Sequence, residues 1–181
     1  MKKCIALFLP LLMLAGCSDE KKQEGAGDAE VARIEQSDVA RIEQSGVARI
    51  AKDKQTIAIE EEVKAASLQW VANFNKKDIR ACADAYLEDA VMHVRPMSDF
   101  KGRESIYAFW NDFVTNKKAA DLVFTDVQVS LNDDKTVGTV TAKWTMNVGG
   151  GTINGEQWVK QSDGRWLLAV DDFTVEHSKL Q

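Results

Sequence analysis

Residues 136–148 alternate without a break. Gly138, Val140, Ala142, Trp144, Met146 and Val148 fall on one side, and Val137, Thr139, Thr141, Lys143, Thr145 and Asn147 on the other. Residues two apart share a face of a strand, so this run has one face on a core and the other against water or a second subunit. An apolar sheet face must be covered by another layer, and that requirement constrains the rest of the chain. Residues 122–131, 152–161 and 166–177 read as further strands. Turn residues separate them: Asn132-Asp133-Asp134, Gly149-Gly150-Gly151 and Ser162-Asp163-Gly164. No Lys-Ser/Thr follows the glycine triplet, so it reads as a hairpin loop and not as a phosphate cradle.

Helices supply the covering layer. Ile59, Val63, Ala66, Trp70 and Phe74 recur at helical spacing, which predicts an amphipathic helix starting near Thr56. Asn75-Lys76-Lys77-Asp78 ends it, and Asp78 can cap a second helix with Ile79, Cys82, Ala83 and Tyr86 on one face. Residues 90–95 read as a short strand stopped by Pro96. A third helix from near Arg103 carries Ile106, Phe109, Trp110 and Phe113. Three helices on a curved, mainly antiparallel sheet make an α+β domain over residues 56–181.

The N-terminus indicates a location. After Lys2 and Lys3, an apolar run from Ile5 to Ala15 is interrupted by Pro10 and is far short of the ~20 residues a bilayer span needs. It reads as a secretory signal over residues 1–16. Leu14-Ala15-Gly16-Cys17 resembles the lipobox of bacterial lipoproteins. The resemblance implies cleavage before Cys17 and acylation (palmitate among the chains) of its sulfur and new amino group. Two or more acyl chains hold a protein stably at a membrane. Ser18, in place of Asp, implies the outer membrane of a Gram-negative envelope, facing the periplasm. Cys4 leaves with the signal, so Cys82 stays alone and reads as a small core hydrophobe.

Residues 17–55 read as a lipidated cysteine and a polar spacer that buries too little apolar surface to order itself. It holds an octapeptide repeat, Val31-Ala-Arg-Ile-Glu-Gln-Ser-Asp38, Val39-Ala-Arg-Ile-Glu-Gln-Ser-Gly46 and Val47-Ala-Arg-Ile50. Eight steps rotate the Val/Ile pair by roughly 80° around a helix, so no coiled-coil stripe forms. The repeat reads as a spacer lifting the domain off the membrane, or as a handle for an envelope partner.

The order Trp70…Asn75-Lys-Lys-Asp78, Tyr86-Leu-Glu-Asp-Ala90, Lys101-Gly102-Arg103-Glu104-Ser-Ile106 and Asp163-Gly164-Arg165-Trp166, with Asp171-Asp172-Phe173 in the closing strand, resembles a known superfamily. It is the nuclear transport factor 2-like superfamily, especially its SnoaL-like and ketosteroid-isomerase-like branches. The resemblance covers about residues 56–177. It implies a cone-shaped barrel closed at one end by helices, with a mainly apolar pocket at the other, and it implies a homodimer. Ketosteroid isomerases use a carboxylate base and acidic O–H donors. By the resemblance, this chain carries Trp70 in place of the oxyanion-binding tyrosine, Val94 or Arg95 in place of the base, and Asn154 in place of the second donor. Steroid isomerisation is therefore not assigned.

The polar candidates are Asp171, His93 and Arg95, together with Asp172 on the opposite face of the Asp171 strand and His177 near the end of the sequence. Asp171 shares parity with Leu167, Ala169, Phe173 and Val175, and a carboxylate on an apolar face holds its proton more tightly, as a general base requires. The alternatives are an ion pair with Arg95 or simple exposure. His93 and Arg95 share one parity: they face the pocket together, or face water while Met92 and Val94 point inward. Trp70, Phe74, Trp110 and Trp144 are candidates for lining a pocket, or else for the core. Two histidines and one free cysteine at these spacings give no metal site, and no cofactor is expected. Removing Lys2 and Lys3 leaves an acidic chain, from 23 basic and 28 acidic residues at the start, which argues against nucleic acid.

These features point to a membrane-anchored envelope lipoprotein whose domain binds a small apolar or amphipathic ligand, or a peptide, without catalysis. An alternative is proton-transfer chemistry of the isomerase, cyclase or dehydratase type, at Asp171 with His93 or Arg95. A second alternative is a structural dimerisation module.

Overall fold

Helix α1 runs from Ala26 to Asn75, well before the start expected at Thr56. The stretch between contains no proline and is rich in Ala, Glu, Arg and Gln, all strong helix formers. Local propensity thus makes helix out of what reads as spacer. Val47 and Ile50 of the repeat stay exposed. The computed structural model describes residues 26–180, so cleavage before Cys17 and its lipidation lie outside the described residues. The chain divides into two units, Met1–Gly46 and Val47–Gln181. The sheet, the core and the site below all belong to the second.

Within that unit the expected stripe of α1 faces the core: Val63, Trp70 and Phe74 are buried, with Ile59 and Ala66 packed beside them. Asn75 ends the helix and clamps the backbone of Leu122, donating to its carbonyl and accepting from its N–H, both at 2.8 Å. Asp78 then caps α2 (Ile79–Asp84), accepting from the Ala81 N–H at 3.1 Å. Tyr86, read above as helical, opens strand β1 (Tyr86–Arg95) instead. A short edge strand β2 (Ser98–Lys101) follows, and four residues after a proline carry too little pattern to announce it. Gly102, at φ 82°, precedes α3 (Arg103–Thr115) in a conformation that favours glycine. Arg103 fixes this corner by donating twice to the Tyr86 carbonyl, at 2.9 and 2.6 Å.

The remaining strands are β3 (Val123–Leu131), β4 (Val137–Met146), β5 (Gly149–Lys160) and β6 (Trp166–Ser178). The sheet order is β2-β1-β6-β5-β4-β3, antiparallel except where β1 runs parallel to β6. Its two edges do not pair, so the curved, mainly antiparallel sheet that was expected is open. The β4 alternation holds along its length, with Gly138, Val140, Ala142, Trp144 and Met146 buried. The glycine triplet belongs to β5 and not to a loop, since Gly149, Gly150 and Gly151 pair with Met146, Thr145 and Trp144. Register shifts in β5 between Gly150 and Gly151 and between Ile153 and Gly155 change which parity faces the core.

Candidate functional site

The core does not fill the space between α3 and the sheet. A cavity of about 240 Å³ remains, somewhat below the ~300–1,000 Å³ usual for ligand sites. Its wall comes from Trp70 on α1, Phe109, Trp110 and Phe113 on α3, Trp144 and Met146 on β4, Ile153 on β5, and Phe173 and Val175 on β6. Trp110 organises these rings: its centroid lies 5.2 Å from Trp70, 4.9 Å from Phe109 and 5.8 Å from Phe173. Every one of the 5 tryptophans commits its indole N–H to the protein. The acceptors are the Cys82 carbonyl for Trp70, the Tyr86 hydroxyl for Trp110, the Thr174 carbonyl for Trp144, Glu156 for Trp158 and Glu62 for Trp166. The tryptophans of the wall therefore offer a ligand ring faces and edges but no donor.

Polar chemistry enters this wall at two carboxyls. Asp171 on β6 is 4 % exposed and Glu156 on β5 is 3 % exposed, and the two stand opposite each other in the β5–β6 register. The fold satisfies one oxygen of each. Tyr86 donates its hydroxyl to Asp171 Oδ2 at 2.6 Å. Ser67 and Trp158 donate to Glu156 Oε2 at 2.7 and 2.9 Å. The other two oxygens, Asp171 Oδ1 and Glu156 Oε1, accept no hydrogen bond from the described residues, and both residues open onto the cavity.

Burial raises both carboxyls. Asp171 is pushed up to about 6 by loss of water, against the stabilising Tyr86 hydroxyl. Glu156 is pushed up to about 8, first by burial and then by the charge of Asp171, against the donors Ser67 and Trp158. The Tyr86 hydroxyl is likewise raised well above the ordinary phenol value, by burial and then by Asp171. Near neutrality the pair carries one charge more readily than two.

Of the residues singled out in the sequence, Asp171, Trp70, Trp110 and Trp144 meet at this cavity. Phe74 does not reach it: the side chain is buried behind Trp70 and Trp110, at ring distances of 5.7 and 5.6 Å. His93 and Arg95 stand on the other face of β1, because Met92 and Val94 take its inward positions. His93 pairs with Asp99 at 2.7 Å. Arg95 grips Asp172, not Asp171, with its shortest contact at 2.7 Å. Asn154 joins that outer pair, donating to Asp172 at 2.8 Å. His93 and Arg95 are thereby corrected out of the cavity by strand alternation. Tyr86 and Glu156 take the polar positions beside Asp171. Among the described residues, no group of three or more His, Cys, Asp or Glu could hold a metal ion, and no helix is long and apolar enough to cross a membrane. Cys82 is buried in the core and its thiol is pushed up to about 12 by burial.

A family model described as a SnoaL-like domain matches residues 68–176. This chain belongs to the SnoaL-like family. The SnoaL-like domain is also similar to solved structures, at identities that speak for the fold alone. ActVI-ORFA from Streptomyces coelicolor is 20% identical, with a TM-score of 0.55 over 65% of this chain and 97% of that one. An NTF2-like protein with a cystatin-like fold from Novosphingobium aromaticivorans is 13% identical, with a TM-score of 0.57 over 70% and 88%. A ketosteroid isomerase-like protein from Erwinia carotovora atroseptica is 13% identical, with a TM-score of 0.55 over 65% and 96%. No curated protein matches the chain. The fold is nuclear transport factor 2-like.

Proposed function

We propose that the SnoaL-like domain binds a small apolar or amphipathic molecule in the cavity beneath α3, without catalysis. One observation carries this reading: a wall rich in aromatic rings, whose indole N–H groups are all engaged, surrounds a cavity onto which Asp171 and Glu156 each open with one oxygen that no described residue pairs. A structural module would close this space with its own tryptophans. A proton-transfer reading keeps Asp171, but the partners it called on, His93 and Arg95, face away. The neutral fluorophore N-phenyl-1-naphthylamine is expected to bind the full-length protein saturably, one per chain. Val175→Trp, which fills the cavity from β6, is expected to weaken that binding about tenfold or more, close to 1.4 kcal/mol. Unchanged affinity in a Val175→Trp protein with a normal melting curve would remove the cavity as the binding site.

We further propose that the mature protein presents this cavity from a lipid anchor at Cys17, on the periplasmic side of an outer membrane. Lys2 and Lys3, the short apolar run, Leu14-Ala15-Gly16-Cys17 and Ser18 support this. Cys17→Ser is expected to abolish palmitate incorporation and leave the protein soluble or unprocessed. Palmitate labelling of that variant at the normal level would end the lipoprotein reading.

A further inference from the structure

We propose that the occupant of the cavity is an organic cation, a small aromatic or alicyclic amine whose protonated nitrogen sits between Asp171 and Glu156. This inference deepens the binding reading above and rests on it. Two independent features of the cavity ask for the same ligand. Asp171 Oδ1 and Glu156 Oε1 accept no hydrogen bond from the described residues, and since no fully buried polar side-chain atom there lacks a partner, both oxygens reach accessible surface, on residues more than nine-tenths buried that line the cavity. A carboxylate in an apolar cavity without a counter-charge is costly, and a ligand that brings both hydrogen-bond donors and positive charge reduces that cost. The wall around them is built of ring systems, among them Trp70, Trp110, Trp144 and Phe173. Aromatic faces attract cations through their quadrupole, most strongly where water is excluded.

Among the described residues, no cation pairs with Asp171 or Glu156. The titratable groups that act on Asp171 are Tyr86 on β1 and Glu156 on β5, with His93 on β1 and Asp172 on its own strand acting from the outer face. Of these, His93 is engaged with Asp99 on the outer face, and Arg95, the nearest arginine in β1, is engaged with Asp172. Lys117 and Asp112 also line the cavity, but both are exposed, one of each sign. An anionic ligand would add a like charge to the Asp171–Glu156 pair. A neutral alcohol would satisfy one oxygen and leave the charge uncompensated.

Three probes of nearly one shape separate these cases: 1-naphthylmethylamine, 1-naphthylmethanol and 1-naphthoate, titrated into the full-length protein by calorimetry. The amine is expected to bind at least about tenfold tighter than the alcohol near pH 7.5, with the naphthoate weakest. Amine affinity should fall as pH drops through about 6, where Asp171 gains its proton, and rise again through about 8, where Glu156 loses its own. The amine itself stays charged across that range, as lysine-like amines do near ~10. The alcohol should show neither step. Asp171→Asn should bring the amine down to the alcohol's affinity, while Asp172→Asn, on the outer face, should leave the ratio unchanged. If Asp171→Asn does not fold, the unmodified protein still decides the matter: an amine affinity that rises with pH while the alcohol's does not supports the assignment, and one that does not change with pH overturns it. An alcohol that binds as tightly as the amine would overturn the cation assignment and leave the cavity reading standing. Loss of the amine preference in Asp172→Asn would overturn it too, by assigning the preference to surface charge. Failure of all three probes to bind would remove both readings together.

Discussion

Glu156→Gln is expected to make the protein more stable at pH 8 than the unmodified chain, and to flatten the dependence of its stability on pH. Glu156 carries its proton up to about 8 in the folded state against an ordinary value of 4.5. Between those two values the unfolded chain has released a proton that the folded chain retains. Stability therefore falls as pH rises through this window, is fully present below the ordinary value, and levels off above about 8. Asp171 adds a smaller effect of the same sign, between 3.8 and about 6. Each pK unit corresponds to about 1.4 kcal/mol, so a loss of roughly 2–4 kcal/mol between pH 5 and pH 8 is the expected order of magnitude. Glutamine keeps an oxygen to accept from Ser67 and Trp158, so those donors stay paired while the buried charge is gone. At pH 8 the variant should melt about 5 °C or more above the parent. Thermal melts of both proteins at pH 5 and pH 8 read this directly. A variant that melts lower at pH 8 would show that the ionised carboxylate is needed to hold α1 to β5.

Gly151→Ala is expected to cost about 3 kcal/mol or more, or to prevent folding, beyond the ordinary penalty for a crowded core. A methyl group at Gly151 would overlap the carbonyl oxygen of Thr174 on β6, a backbone atom that cannot turn aside. Relief would require β5 and β6 to separate at the register shift between Gly150 and Gly151. Gly150→Ala provides the contrast, because its closest neighbour is the His177 ring, whose side chain can rotate away. That change should cost only about 1 kcal/mol. Urea unfolding of the two variants separates them, and equal midpoints would mean that the triplet is not held against β6 as described.

The triplet also shows where a sequence stops being informative. Three glycines between two strand patterns read as a turn, because glycine is the usual turn residue. In the fold they are strand residues, kept bare because Trp144 and Met146 pair on one side and β6 presses close on the other. Close approach of a second backbone is a long-range fact, and no local spacing encodes it.

The same division runs through the site. Periodicity alone determined the apolar face of β4, the stripe of α1 from Ile59 to Phe74, the Asp78 cap and the parity that Asp171 shares with Phe173, because each depends on spacing within one element. The start of α1 was hidden, since the repeat has helical propensity without an amphipathic stripe. Glu156 was hidden by a bulge. Ile153 and Glu156 are both buried although their parities differ, since the strand gains a residue around Gly155. A glycine inside a strand pattern was the one available signal for it. Tyr86 was hidden by the end of α2, which falls two residues before it and turns an expected helix position into the first residue of β1. For His93 and Arg95, parity said only that they face together. Which way they face was decided by Met92 and Val94, whose burial is worth about 1.5–3 kcal/mol each and outweighs any gain from burying a histidine and an arginine. Sequence thus determined most of the elements and the apolar faces of β4 and α1. Only the tertiary structure brought Glu156 and Asp171 from two strands to one apolar cavity, with Tyr86 of a third strand donating to Asp171, and there the loss of water gives two ordinary carboxyls their chemistry.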